Sequence, residues 1–308
     1  AKPMPTGYAA SMVKVDIEFN HQFNFRYGFL ELVSPHILRV VARNPGPFIG
    51  PGNGSFIIVV GEYPVIDPRP MLPDHVDALL DGLVGETVSH IVITHTHVDH
   101  SPAARLLSAR TGAAVFGSKP HAELSAGELE GGVDREYAPD FPLDHGESVS
   151  GDGWTLKAIH TPGHCSNHLC FSLPEESALF CGDHVMAWAT PVIIPPDGSI
   201  ADYIQSLDRL SEGTERTYYP THGAPIEDPA SFLAQVRAHR MSRVEQVEAA
   251  LQSGYGDLHS QRARVYRELP ASLHAGAELS LLASLRYLEA HGRARIIRQD
   301  SVLRFKAV

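Results

Sequence analysis

Four residues within six positions, His95, His97, Asp99 and His100, carry the strongest chemical signal in the chain. The apolar run Ile91-Val92-Ile93 leads directly into them, which places them at the end of a short buried strand. Residues two apart on an extended segment share a face, so His95 and His97 can grip one ion. Asp99 and His100 fall on the turn into the next helix and can face a second ion beside the first. Imidazole and carboxylate donors suit zinc, and also iron or manganese. No structural role calls for three histidines and an aspartate beside an apolar strand, so metal binding is the reading adopted.

Three further candidates follow, each just after an extended run. His164 comes after Thr161-Pro162-Gly163, Asp183 after Leu179-Phe180-Cys181-Gly182, and His222 lies in Tyr219-Pro220-Thr221-His222-Gly223. Each alone is a weak signal; the ordered series HxHxDH, H, D, H is specific. It resembles the metallo-β-lactamase superfamily over about residues 36–226, counting Asp67 after its own strand as the family's early aspartate. The resemblance implies an α/β fold, an αββα sandwich with a dinuclear metal site at one edge. It also implies that His95, His97 and His164 bind one metal, that Asp99, His100 and His222 bind the other, and that Asp183 bridges them. Two zinc ions per chain are the expected cofactors, with iron or manganese as alternatives. Two adjacent divalent ions acidify a shared water, giving a bridging hydroxide at neutral pH, and polarise the electrophile. Asp99 is then the candidate catalytic residue, orienting that hydroxide or moving a proton. Asp67, His168 and His184 are expected behind the ligands, holding them in place. Cys165 and Cys181 are read as buried thiols. His21, His75, His121, His239, His259, His274 and His291 carry no spacing argument and are expected at the surface or in caps.

The elements that must position these groups alternate between strand and helix. Extended runs are expected near 36–41, 56–60, 64–67, 91–93, 114–116, 154–159 and 178–181. Helical periodicity covers 73–83, 102–109 and 200–210, with Ser199 as a cap for the last. After His100, Ser101-Pro102-Ala103-Ala104 stands where the resembling branch often has glycines, and it stiffens the helix start. Beyond residue 228 the texture changes. Asp228 and Pro229 open a long helix ending near Gly254, helical segments follow at 259–269 and 275–291, and two alternating runs at 294–298 and 302–305 close the chain. Three helices and a hairpin are the order of a winged helix. The segments His239-Arg240, Arg243, Gln246-Val247 and Leu281–Leu285 resemble the β-lactamase-associated winged helix of one superfamily branch, and Trp188-Ala189 upstream, in the catalytic part, also resembles that branch. The expected division is a catalytic domain over 1–228 and a winged-helix-like domain over 229–308.

Composition narrows the function. The 308 residues are 43% hydrophobic and carry a formal net charge of −11, which excludes a disordered chain. That charge is uneven: residues 1–236 hold 13 basic and 29 acidic residues, whereas 237–308 hold 12 basic and 7 acidic. A basic module invites nucleic acid. The acidic body would repel a polyanion near the metals, however, so packing against the body is the preferred role. Three cysteines are too few and too close for a disulfide framework, which points to the cytoplasm. No apolar run reaches the roughly 18–20 residues of a membrane span. The leading expectation is a metal-dependent hydrolase of a carboxylic ester, thioester or lactone of a small molecule. The alternatives are a phosphodiesterase or endoribonuclease whose winged helix holds RNA, and a mononuclear iron enzyme resembling persulfide dioxygenases. A homodimer is left open.

Overall fold

In the computed structural model, which describes residues 17–121, 132–299 and 302–308, short strands with apolar residues on both faces are covered on both sides. The first sheet runs β1 (Glu31–Ser34), β2 (Ile37–Val41), β3 (Gly54–Ile58), β4 (Tyr63–Ile66), β5 (Val88–Ile93), β6 (Ala114–Gly117) and β7 (Phe141–Pro142), in that spatial order. Pairing is antiparallel from β1 to β4 and parallel from β4 to β7. The second sheet holds β8 (Ser148–Gly151), β9 (Trp154–His160), β10 (Leu169–Leu173), β11 (Ala178–Gly182) and β12 (Thr217–Pro220), with β12 added parallel to β11.

Alternation along each strand sorts the side chains into layers. Ile37, Phe56, Ile58, Ile66 and Val92 of the first sheet meet Leu156, Ala158, Phe171, Phe180 and Tyr219 of the second. The intervening residues Val40, Ile57, Val65, Ile91 and Ile93 face outward under α1 (Pro73–Gly82) and α2 (Ala103–Thr111). On the far side, Cys170, Leu179, Cys181 and Tyr218 pack against α3 (Ile200–Ser211), whose Ser199 cap accepts the N–H of Asp202. The result is the αββα sandwich.

The C-terminal elements are α4 (Pro229–Gln252), α5 (Leu258–Val265), α6 (His274–Ala290) and the hairpin β13 (Ala294–Gln299) with β14 (Val302–Ala307). The Asp228 side chain caps α4 by accepting the Ser231 N–H. Val244, Val247, Leu251, Leu281, Leu285 and Phe305 belong to the same apolar cluster as Tyr203 and Leu207 of α3, so the winged helix shares a core with the sandwich. The helix expected over 259–269 stops at Val265, because Tyr266 leaves helical backbone ahead of Pro270. Strands β7 and β8 lack a clear apolar run and escape sequence reading. Among the described residues, no helix is long and apolar enough to cross a membrane.

Phe180 lies at the centre of the inter-sheet layer, 5.3 Å from the Phe56 ring and 5.8 Å from the Tyr219 ring. Phe180→Ala is expected to cost about 3–5 kcal/mol through lost burial and a cavity. A urea unfolding midpoint within error of wild type would contradict this.

Candidate metal centre

Every residue of the cluster sits on a loop at one edge of the two sheets. His95, His97, Asp99 and His100 follow β5, His164 follows β9, Asp183 follows β11 and His222 follows β12. Gly182, with φ +52°, makes the turn that presents Asp183; a Cβ there would stand 2.5 Å from His168 Nε2.

Three imidazole nitrogens converge on one side. His97 Nδ1 lies 3.0 Å from His95 Nε2 and 3.0 Å from His164 Nε2. The hydrogen bonds behind them fix which atoms carry protons. His164 donates from Nδ1 to Val192 O at 2.7 Å, leaving Nε2 bare. Thr94 gives its hydroxyl hydrogen to Asp67 Oδ2 and so accepts from His95 Nδ1 at 3.0 Å, which leaves His95 Nε2 bare too. Two lone pairs thus point at His97 Nδ1, whose single proton can fill only one of them well, whereas a cation at that place would serve all three nitrogens.

The second group faces the first across Asp183. His100 Nε2, His222 Nε2 and His164 Nε2 lie 3.4, 3.2 and 3.9 Å from Asp183 Oδ2. His100 Nε2 and His222 Nε2 are also 3.5 and 3.4 Å from Asp99 Oδ2. His100 Nε2 and Asp183 Oδ1 are buried without a hydrogen-bond partner. Donor atoms of Asp99, His100, Asp183 and His222, and separately those of His95, His164 and Asp183, fall within 4.8 Å of one another. Six of the seven residues singled out from the sequence thus fall in two sets that share Asp183, and His97 joins them through the two 3.0 Å contacts of its Nδ1. Their donors are those that hold a pair of divalent ions of the zinc, iron or manganese type.

Asp67 stands behind the cluster. It accepts from Thr94 N at 2.8 Å, Thr94 Oγ1 at 2.7 Å and His100 Nδ1 at 3.0 Å. His168 accepts the Asp183 N–H at 3.2 Å through Nε2 and donates from Nδ1 to Thr161 Oγ1 at 2.9 Å. Thr161 in turn reaches Cys170 Sγ at 3.2 Å, and the Cys170 thiol donates to Cys181 O, two residues before Asp183. His184 makes no ring hydrogen bond: its ring lies 4.6 Å from that of Tyr203 and 5.7 Å from that of His168, centroid to centroid.

Sequence reading missed several supporting groups. Asn53 donates to both Asp99 O (3.1 Å) and Asp99 Oδ2 (3.0 Å), and is itself held by Asn44 at 2.6 Å. Arg69 is fully buried beside the carboxylates. Two histidines expected at the surface are not there. His75 is buried, with Nε2 2.9 Å from Ser55 Oγ, and the His121 side chain is only 6% exposed. His121 lies on no periodic run, and His75 lies in the helical run 73–83, one residue before Val76 and four before Leu79 on its buried face.

The centre polarises the imidazoles into two kinds. Burial pushes His75, His97 and His184 down to about 3, helped by Arg69 for His75 and by His164 for the other two. Burial and neighbouring imidazoles hold His95 and His168 well below the usual range. For His100, burial is outweighed by Asp183 and Asp99, which raise it to about 10; Asp183 also raises His222. Burial opposes ionisation of Asp183 and Asp99, yet His222 and His100 hold both carboxyls well below their ordinary range.

In chelator-treated protein these shifts oppose each other across pH 6.5. Below 6.5 the unfolded chain protonates its imidazoles while those depressed by burial, His164 among them, stay neutral in the fold, so stability falls toward pH 3. Above 6.5 the unfolded chain loses the proton that folded His100 keeps, so that contribution is lost toward pH 10. Urea midpoints of the metal-free protein are expected to peak near 6.5, and a profile that rises monotonically in either direction contradicts this. Separately, His168→Ala strips the Asp183 N–H of its acceptor. It is expected to cost about 1–3 kcal/mol, read from the same unfolding curves at fixed pH.

Comparison with known proteins places this geometry. Residues 45–222 match the model of the metallo-beta-lactamase superfamily, and residues 263–301 match that of the beta-lactamase associated winged helix domain. An atrochrysone carboxyl ACP thioesterase of Cryptosporiopsis sp. (strain 8999) is 30% identical over 230 residues, covering 72% of this chain and 65% of that protein. A lactamase-like protein of Aspergillus niger is 30% identical over 229 residues, covering 72% of this chain and 66% of its own length. The match thus spans slightly less than two thirds of these relatives. A beta-lactamase domain protein from Burkholderia ambifaria has the same fold, with a TM-score of 0.78 at 19% identity over 97% of this chain and 99% of that one. A metallo-beta-lactamase family protein from Thermus thermophilus gives 0.72 at 22% identity, covering 90% and 100%. The chain belongs to the metallo-beta-lactamase superfamily, in the form that carries a C-terminal beta-lactamase associated winged helix domain.

Proposed function

We propose that this chain is a dinuclear metal-dependent hydrolase that cleaves a carboxylic thioester or related ester or lactone of a small molecule. The observation that carries the reading is the position of Asp183 Oδ2, 3.2 Å from His222, 3.4 Å from His100 and 3.9 Å from His164, between two converging donor sets. His95, His97 and His164 would hold one ion, Asp99, His100 and His222 the other, and Asp183 both. When bound, such a pair polarises a carbonyl and acidifies water. Zinc is the proposed metal, given nitrogen-rich donors with two carboxylates.

The chain's own groups supply the rest. Asp99 is the most exposed carboxylate of the cluster, at 20% against 11% for Asp183. Held ionised beside His100 and His222, it is an acceptor, and it orients the attacking water toward the carbonyl. Asn53 keeps its carboxylate in place. The thioester class follows from relatives named as carboxyl ACP thioesterases. A mononuclear iron site is the weaker reading, because the Asp99, His100 and His222 donors converge as closely as the first set. A cytoplasmic setting is supported by three cysteines that are all free thiols. The proposed division of the chain remains 1–228 and 229–308, with small molecules as substrate rather than RNA.

The test is elemental analysis together with a panel of acyl thioesters, esters, lactones and short RNAs. Zinc at two equivalents or more and thioester turnover are expected, with Asp183→Asn lowering kcat/KM roughly 1,000-fold. One tightly bound iron, or cleavage of RNA alone, would replace this reading.

A further inference from the structure

Cys165 directly follows His164 but faces a second set of donors outside the centre just described. His121, Cys165 and Asp197 bring one imidazole nitrogen, one thiol sulfur and one carboxylate oxygen within 4.8 Å of one another. They are far apart in sequence, on the segment after β6, the loop after β9 and the loop before α3. We propose that these three residues form an additional metal site for a borderline-soft divalent ion such as zinc.

The spacing suits coordination better than hydrogen bonding. His121 Nδ1 lies 3.4 Å from Asp197 Oδ1, long for a charged hydrogen bond. Two donors at zinc bond lengths of about 2.0–2.1 Å, set at a tetrahedral angle, stand about 3.3 Å apart. The other ring nitrogen, His121 Nε2, is buried without a partner. The side chains of His121 and Asp197 are only 6% and 4% exposed, and Cys165 is wholly buried. Nδ1 has only that long contact to Asp197 Oδ1, which an ion between the two would replace with a pair of short bonds.

The surroundings brace the same three residues. Asp197 Oδ2 accepts the Ser166 N–H at 3.2 Å, which leaves Oδ1 turned toward His121. The Cys165 thiol points at Asn167 Oδ1 at 3.4 Å, while Asn167 Nδ2 donates to Lys119 O at 2.8 Å and Thr96 Oγ1 at 3.0 Å. Asn167 thereby ties the approach to His121 to the loop that carries Cys165. An ion at this place would displace the thiol proton and gain a thiolate bond. Cys165 Sγ also comes within 4.8 Å of the donors of His95 and His97. That position already has the bare nitrogen of His164, whereas among the described residues His121 and Asp197 have no other thiol within reach. Three protein donors leave one coordination position for water or a ligand. The inference stands apart from the hydrolase reading, since it concerns different donors and is read without turnover.

The test uses the full chain, stripped of metal and titrated with cadmium, whose thiolate bond gives an ultraviolet charge-transfer band. Wild type is expected to show the band and a cadmium-113 resonance in the range of a single sulfur donor. Cys165→Ser is expected to lose the band and one equivalent of bound metal while keeping two others. Cys170→Ser keeps the band. His121→Ala and Asp197→Asn are expected to raise the half-saturating cadmium concentration for the band about tenfold or more. Absence of the band and of a sulfur-shifted resonance in wild type overturns the proposal. So does a band that Cys165→Ser abolishes but His121→Ala and Asp197→Asn leave unchanged, because the thiol then serves the His95–His97 position. Asp197→Asn, which keeps the size of the native side chain, carries the comparison if His121→Ala fails to fold.

Discussion

Everything around the centre answers to one constraint: an ionised carboxylate, Asp183, is buried among imidazoles at the edge of two apolar sheets. Burial alone would neutralise it, because removing a charge from water costs several kcal/mol unless opposite charge or a hydrogen bond compensates. His100 and His222 provide that charge on one side. On the other, His95, His97 and His164 are kept neutral, with the Nε2 lone pairs of His95 and His164 facing inward. The asymmetry is imposed from behind: His100 donates to a carboxylate, Asp67, whereas His95 and His164 donate to a hydroxyl and a carbonyl. A carboxylate partner favours the protonated ring, and a neutral acceptor only selects its tautomer.

The same logic explains the polar residues inside the sandwich. The backbone of Asp183 is pinned by His168, whose own proton is committed to Thr161, and that hydroxyl leads back to the segment before Asp183 through Cys170. Each member has a partner, so the network can be buried without the cost of an open end. Arg69 lies wholly inside with no hydrogen-bond partner on its side-chain nitrogens, and Asp67, Asp183 and Asp99 only partly offset the cost of burying its charge.

The parts of this architecture that were legible in the sequence are those written locally. The strand Ile91–Ile93 with its run of histidines, the Pro-Gly turn before His164 and the Asp228-Pro229 helix start each place chemistry within a few residues of a recognisable element. Ordered matches then supplied the αββα sandwich and the winged helix. What was not legible depends on pairs brought together by topology. Asn53 reaches Asp99 from 46 residues away through a loop with no periodicity. His121, Cys165 and Asp197 meet only because β6, β9 and α3 end at neighbouring places. Sequence placed His75 at the surface, since its helix shows an apolar stripe that does not need it, yet it turns inward to Ser55.

Arg240, deep in α4, donates to Pro191 O at 2.8 Å, and the next carbonyl, Val192 O, receives the His164 proton. The appended helix therefore takes part in choosing which nitrogen of His164 is bare. Were a chimaera to exchange C-terminal modules between relatives, helix and loop would have to travel together, because an unmatched pair would free the Pro191–Val192 segment to turn. Heredity should treat the two as a single unit despite the 47 residues between Val192 and Arg240.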